Sequence, residues 1–299
     1  MDDEWLEIPV FIRGITPVSK PLKQDAQHKG LLNLINIALK KRGKMLFVER
    51  PLNIEWGWDN GQKHNDRYLA KAQLILGNVT NSITKKINDL SFNPFRILNN
   101  RLRHVFVAGF SDMFYYISSD GEKSVRRTIF NKLSEEIHKR ISEKKISLTI
   151  LAHSAGSVIA HDILFHLFGR KRESMDAINK LRKLIMNKEL RIRKFYTFGS
   201  PLTPMIFRAD SLLMKVIKKE KINPEDIGFL YHDNLTNPRW VNFWDKDDIA
   251  SFPIEFLYET NNGEKVVEDK YLDLGDRFPW VHSRYWKDYR IADYIAKTF

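Results

Sequence analysis

The stretch LTILAHSAGSVIAHDILF, Leu148 to Phe165, constrains the fold of this chain more than any other. A β-prone apolar run meets small residues at Ala152, Ala155 and Gly156, and an apolar helical pattern follows at once. A strand that passes straight into a helix leaves one residue at the corner, Ser154. Its backbone is strained there, so the residues two places to either side, Ala152 and Gly156, must lack bulk. The corner lifts the hydroxyl above the strand end. The first N–H groups of the new helix point at the same place and favour negative charge there. A serine that merely caps the helix is the alternative; Ser157 suits that role and lacks the corner spacing.

The rest of the chain supplies alternating elements. Glu7–Arg13 reads as a buried strand, broken by Gly14-Ile15-Thr16-Pro17. Residues 25–42 carry an apolar stripe ending in Lys40, Lys41 and Arg42, where cations suit the helix dipole. Lys44–Glu49 predicts a second strand, and strand, helix, strand at this spacing predicts a parallel βαβ unit. Residues 51–65 read as loop, 66–90 as helix and 124–141 as an amphipathic helix. Ser147–Leu151 is a third strand, 156–168 a helix and 170–193 a strongly basic helix with a solvated face. Lys194–Phe198 is a fourth strand, ended by Gly199-Ser200-Pro201. Helix and loop fill 204–235, Trp240–Trp244 is a fifth strand, 265–274 a strand region, and 283–297 the closing helix. The aromatic-rich stretch from Phe92 to Tyr116 reads either as a cap or as core packing. There are no repeats, no low-complexity linker and no break in composition. The expected organisation is one α/β domain over 1–299, with a mostly parallel central sheet and helices on both faces. A helical and aromatic cap or lid is expected as an insertion over 52–122.

A length of 299 residues suffices for a large core, and 43% hydrophobic with 12% aromatic content fits a folded chain. No cysteine is present, which excludes disulfides, cysteine–zinc sites and thiol catalysis and fits a reducing compartment. The acidic start lacks a secretory signal pattern, and no apolar run is long enough to span a bilayer, so a cytoplasmic location is expected. Lys and Arg total 49 against 37 Asp and Glu, a formal charge of +12 that favours anionic partners. Solubility alone accounts for it equally well. No helix-turn-helix, zinc or RNA-recognition motif accompanies the charge, so no specific nucleic-acid binding is expected.

Strand, small-x-Ser-x-Gly and helix together are the setting of a nucleophile elbow. A nucleophilic serine needs a base, and the base needs an orienting carboxylate. Downstream of Ser154 stand His161, His166, His232 and His282. His161 and His166 lie on the helix leaving the corner, and His232 lies in a polar loop. His282, between the last strand region and the closing helix, is favoured. For the acid, Trp240–Trp244 runs into Asp245, Asp247 and Asp248, at the strand end where sheets of this class bind ligands. Asp248, ahead of Ile249 and Ala250, is preferred, with Asp247 and Asp245 as alternatives. The Ala155 N–H is one candidate oxyanion donor. The Ile15 N–H, after Gly14, is the second, with an ordinary glycine turn as the alternative.

Five segments also carry a likeness: FIRGITP (Phe11–Pro17), ILAHSAGS (Ile150–Ser157), FGSPL (Phe198–Leu202), WVNFWDKDD (Trp240–Asp248) and HSRYW (His282–Trp286). Through them the chain resembles the α/β-hydrolase superfamily over nearly its full length, in the lipase- and esterase-like branch. The elbow is locally similar to intracellular phospholipase A1-type enzymes. Two positions depart from the pattern. Ala152 replaces the first elbow glycine, and Arg13 stands where many relatives carry histidine, so Arg13 either binds an anionic headgroup or pairs with an acid. The resemblance implies a carboxylic ester hydrolase acting through Ser154, His282 and Asp248, without metal or cofactor. An acyltransferase or thioesterase is the alternative, as is an α/β-hydrolase fold that has lost catalysis and serves as a binding module. The aromatic stretch and the positive charge together suggest an acyl-lipid ester as substrate and peripheral contact with an anionic membrane.

Overall fold

Continuous apolar runs suit strands that are covered on both faces of a parallel sheet. In the computed structural model of this chain such runs pair side by side. The structure describes residues 4–14, 21–47, 50–54, 56, 116, 119–141, 144–168, 174–205, 214, 217–218, 220–222, 239–259, 267–278 and 280–299. The expected helix over 66–90, His232 and Ile15 lie outside the described residues. Six strands form one sheet: β1 (Trp5–Ile12), β2 (Leu52–Ile54), β3 (Lys145–His153), β4 (Leu190–Phe198), β5 (Trp240–Trp244) and β6 (Val267–Tyr271). Their spatial order is β2-β1-β3-β4-β5-β6, and every pairing is parallel. Among the described residues the α-helices are α1 (Pro21–Lys41), α2 (Ser119–His138), α3 (Ala155–Phe168), α4 (Asp176–Met186), the short α5 (Leu202–Met205) and α6 (Tyr289–Thr298). This is an α/β architecture. No helix among the described residues is long and apolar enough to cross a membrane.

Register explains how both faces are buried. Val10, Ile150, Phe195 and Trp240 fall in one row across the sheet, and Phe11, Leu151, Tyr196 and Val241 in the next. Successive residues point to opposite faces, so these rows face opposite ways. The second row shares a buried cluster with Leu31, Ile35 and Leu39 of α1 and Ile291 and Ile295 of α6. On the other face, Trp240 meets His161 of α3, with ring centroids 6.0 Å apart. His28 of α1 stacks on Phe11 at 4.7 Å and bonds Asn53 of β2 through Nδ1 at 3.0 Å.

Two expectations need correction. Lys44–Phe47 is not a strand; the second strand is Leu52–Ile54, within the stretch read as loop. The 44–47 segment finds its polar partners elsewhere. Asn36 takes both the N–H and the C=O of Phe47, and Lys44 Nζ donates to the carbonyls of Ala296 and Lys297 at the end of α6. Burial and the neighbouring Arg42 and Arg193 lower the Lys44 pKa. The basic helix also ends early, at Met186. Lys188 adopts a positive φ of 58°, and Leu190–Arg193 joins β4. Arg191 and Arg193, two apart on the strand, reach the same buried carboxylate, Glu7 of β1.

The chain divides into two compact units. One holds Met1–Gly14, Leu22–Ile54 and Ile129–Phe299, and the other Ile15–Pro21 and Glu55–Thr128. Leu52–Ile54 belongs to the first unit, where it pairs with β1. Within the second unit, the buried rings of Trp56 and Tyr116 lie 6.2 Å apart.

Candidate active site

The sheet order places β2 and β3 on opposite sides of β1, so the chain switches direction there, and such sheets bind ligands at the carboxyl ends of strands beside that point. Ser154 follows β3 directly and opens into α3 at Ala155. Its φ is +54°, in the left-handed region that a residue with a Cβ rarely enters. The strain is held by neighbours: Ser154 N–H donates to Phe198 O at 3.0 Å, and the Ser157 hydroxyl donates to Ser154 O at 2.6 Å. The Ser157 Oγ also lies 2.7 Å from the buried Ser200 Oγ, tying the corner to the turn after β4. Ser157 is thus the bracing serine and Ser154 the presented one.

The demand for small residues is met by close backbone approach. A Cβ on Gly156 would sit 2.3 Å from both the Ile12 and Arg13 carbonyl oxygens. Backbone atoms cannot swing aside, so Gly156→Ala is expected to cost about 3 kcal/mol, the upper end of overpacking, as read by urea unfolding. Gly14, after β1, runs against the serine itself: a Cβ there would lie 2.5 Å from Ser154 Cβ and 3.1 Å from its Oγ.

The structure brings Ser154, His282 and Asp248 into one hydrogen-bonded line. His282 Nε2 lies 2.8 Å from Ser154 Oγ, and its Nδ1 lies 2.8 and 3.1 Å from the two Asp248 oxygens. His282 stands on a 3-10 helix, Val281–Lys287, and Asp248 in the turn after β5. The Asp248 side chain is fully buried. Burial works to raise its pKa, but the bond from His282, the His282 charge, the Ala250 N–H and the Tyr285 hydroxyl together outweigh this, and the net direction is down. The carboxylate is therefore held ionised beside the imidazole.

The competing residues are occupied otherwise. Asp245 is buried and organises the turn, accepting from Asp247 N–H and Leu274 N–H at 2.8 Å each. Asp247 is exposed. His161 is buried on α3, with Nε2 3.2 Å from the Tyr258 hydroxyl. His166 sits near the end of α3, its ring edge-on to Phe130. Ala155 is buried at the first position of α3, where an N–H has no preceding turn to receive it.

Three contributors escaped the sequence reading as site residues. Tyr285 donates its hydroxyl to Asp248 Oδ2 at 3.0 Å. It stands three residues after His282, and in a 3-10 helix such residues eclipse, so both face one carboxylate. Burial and the Asp248 charge raise the Tyr285 pKa, which keeps the hydroxyl a donor. Gly199, at φ +56°, passes beside the pair: a Cβ there would meet Asp248 Oδ2 and His282 Nδ1 at 3.1 Å. A glycine directly after an apolar strand was the available signal. His153 donates from Nε2 to the His282 carbonyl oxygen at 2.6 Å.

Among the described residues no group of three or more His, Asp or Glu side chains is placed to hold a metal ion. No family model and no curated protein matches the chain.

Proposed function

We propose that this chain is a serine hydrolase of α/β-hydrolase type that cleaves carboxylic esters through an acyl-enzyme on Ser154. The observation that carries the reading is the unbroken line of hydrogen bonds from Ser154 Oγ through His282 to Asp248. His282 Nε2 takes the hydroxyl proton as Oγ attacks the ester carbonyl, and the ionised Asp248 stabilises the imidazolium that forms. Charge moves onto the carbonyl oxygen. The Ala155 N–H is the proposed donor for it, and the Ile15 N–H is the second donor that the sequence suggests. The tetrahedral adduct collapses, the C–O bond to the alcohol breaks, and the alcohol leaves with the proton from His282. Water, deprotonated by the same nitrogen, then releases the acid and restores Ser154.

A fluorophosphonate probe tests this directly. Wild-type protein is expected to gain the probe mass on Ser154 and not on Ser157, as read by fragmentation of the labelled peptide. A panel of p-nitrophenyl esters of increasing acyl length then ranks short against long chains. The aromatic-rich stretch supports the long ones. Folded protein that takes up no probe would overturn the hydrolase reading and leave a binding module.

A further inference from the structure

We propose that His153, the residue before the nucleophile, is a positioning residue for His282, whose backbone it pins against the sheet through one hydrogen bond. The inference rests on the hydrolase reading above. Ser154 and Asp248 both hold the His282 ring, but neither holds its main chain. That task falls to the His153 Nε2–H, which donates to the His282 carbonyl oxygen at 2.6 Å. The two imidazoles lie 4.6 Å apart between centroids. The rings of Phe198, Tyr285 and Trp286 lie 6.4, 6.1 and 5.2 Å from that of His153.

The direction of support follows from rigidity. His153 is the last residue of β3 and pairs with Phe198 of β4 in the middle of the sheet. His282 stands on a single stretch of 3-10 helix, whose hydrogen-bond geometry is poorer than that of an α-helix. The bond therefore transfers the precision of the sheet to the less constrained element. A carbonyl only accepts, so Nε2 carries the proton. Burial, and then the neighbouring His282, push the His153 pKa down to about 3, so the ring stays a neutral donor while His282 exchanges protons with Ser154. His153 touches neither substrate nor the migrating proton; its contribution is placement.

Four variants test the placement. His153→Phe keeps a ring and deletes the donor. Its kcat on a soluble aryl ester is expected to fall about 10²-fold with KM unchanged, the scale of a 1 Å misplacement of a catalytic group. His153→Gln carries an amide N–H nearly as far from Cα as Nε2 and is expected to recover most of kcat. His153→Asn, whose amide is too short, is expected not to. His153→Leu serves as the apolar control, and thermal unfolding is measured on all four. Loss of kcat that tracks loss of Tm across the set, or equal kcat for the Gln and Asn variants, would overturn the inference. The Gln and Asn pair decides the matter even if the Phe variant fails to fold. A wild type that labels at Ser154 while His153→Phe labels at the same rate would sink this inference alone. A wild type that neither labels nor turns over ester would sink it together with the hydrolase reading.

Discussion

Ser154→Ala and His282→Ala are each expected to reduce kcat on a soluble aryl ester by roughly 10⁶-fold, and the double variant is expected to lose no more than either single one. The reason is the single proton route. Oγ is a weak nucleophile until Nε2, 2.8 Å away, takes its proton, and Nε2 has nothing to accept once Oγ is gone. Removing either end disables the same step, so the losses do not add. Alanine retains a Cβ at the strained +54° corner, so the Ser154 variant keeps the local backbone problem and its loss reports chemistry rather than relief of strain. Turnover is measured with the wild-type active-site concentration set by probe titration. Losses that multiply in the double variant would mean the two residues serve separate steps, and the proposed cycle would fall.

Asp248→Asn is expected to lower kcat about 10⁴-fold, while Asp247→Asn stays within about twofold of wild type. The Asp248 oxygens accept from Nδ1, which leaves Nε2 unprotonated and ready for the serine proton. An amide that presents its NH₂ to Nδ1 forces the proton onto Nε2, and the base is blocked. Asp247 is exposed and makes no part of this line. The same substitution alters acid stability. The folded Asp248 pKa lies below its ordinary value, so the unfolded chain binds the proton first as pH falls. The stabilisation is complete above the ordinary carboxylate pKa and is lost as pH drops through the lowered folded value. Wild type, and not Asp248→Asn, is expected to shed that component in urea titrations run at decreasing pH. Equal kcat for the Asp247 and Asp248 variants would remove the orienting acid from the proposal.

Local patterns were the legible part of the sequence. Trp240–Trp244 is a strand as read, because four aromatic or β-branched residues, broken only by Asn242 and bounded by Arg239 and Asp245, have little other use. The corner at Ser154 was readable because strand, small residues and helix are contiguous. What was not readable depends on partners far along the chain. Lys44–Glu49 has strand-like composition, yet Lys44 closes the end of a helix 252 residues later. The basic run before Phe195 looks helical, and only Glu7, 184 and 186 residues earlier, reveals Arg191 and Arg193 as strand neighbours. The choice among Asp245, Asp247 and Asp248 turned on tertiary partners: Asp245 is taken by the N–H groups of Asp247 and Leu274, Asp247 is exposed, and Asp248 meets His282, 34 residues later. His153 and Tyr285 were invisible for a related reason: their roles are hydrogen bonds, and a hydrogen bond has no signature in one sequence.

The distance in sequence between the corner and its base has a temporal side. Ser154 and His282 are 128 residues apart, and β4, β5 and β6 must take their places between them. During synthesis the serine emerges well before the imidazole that it bonds. On the proposed cycle, a chain that has not yet placed His282 beside Ser154 is expected to be silent toward esters, however well its early strands have paired. Appearance of probe labelling during refolding is thus a clock for the slowest non-local pairings, which set folding times in sheets of this kind.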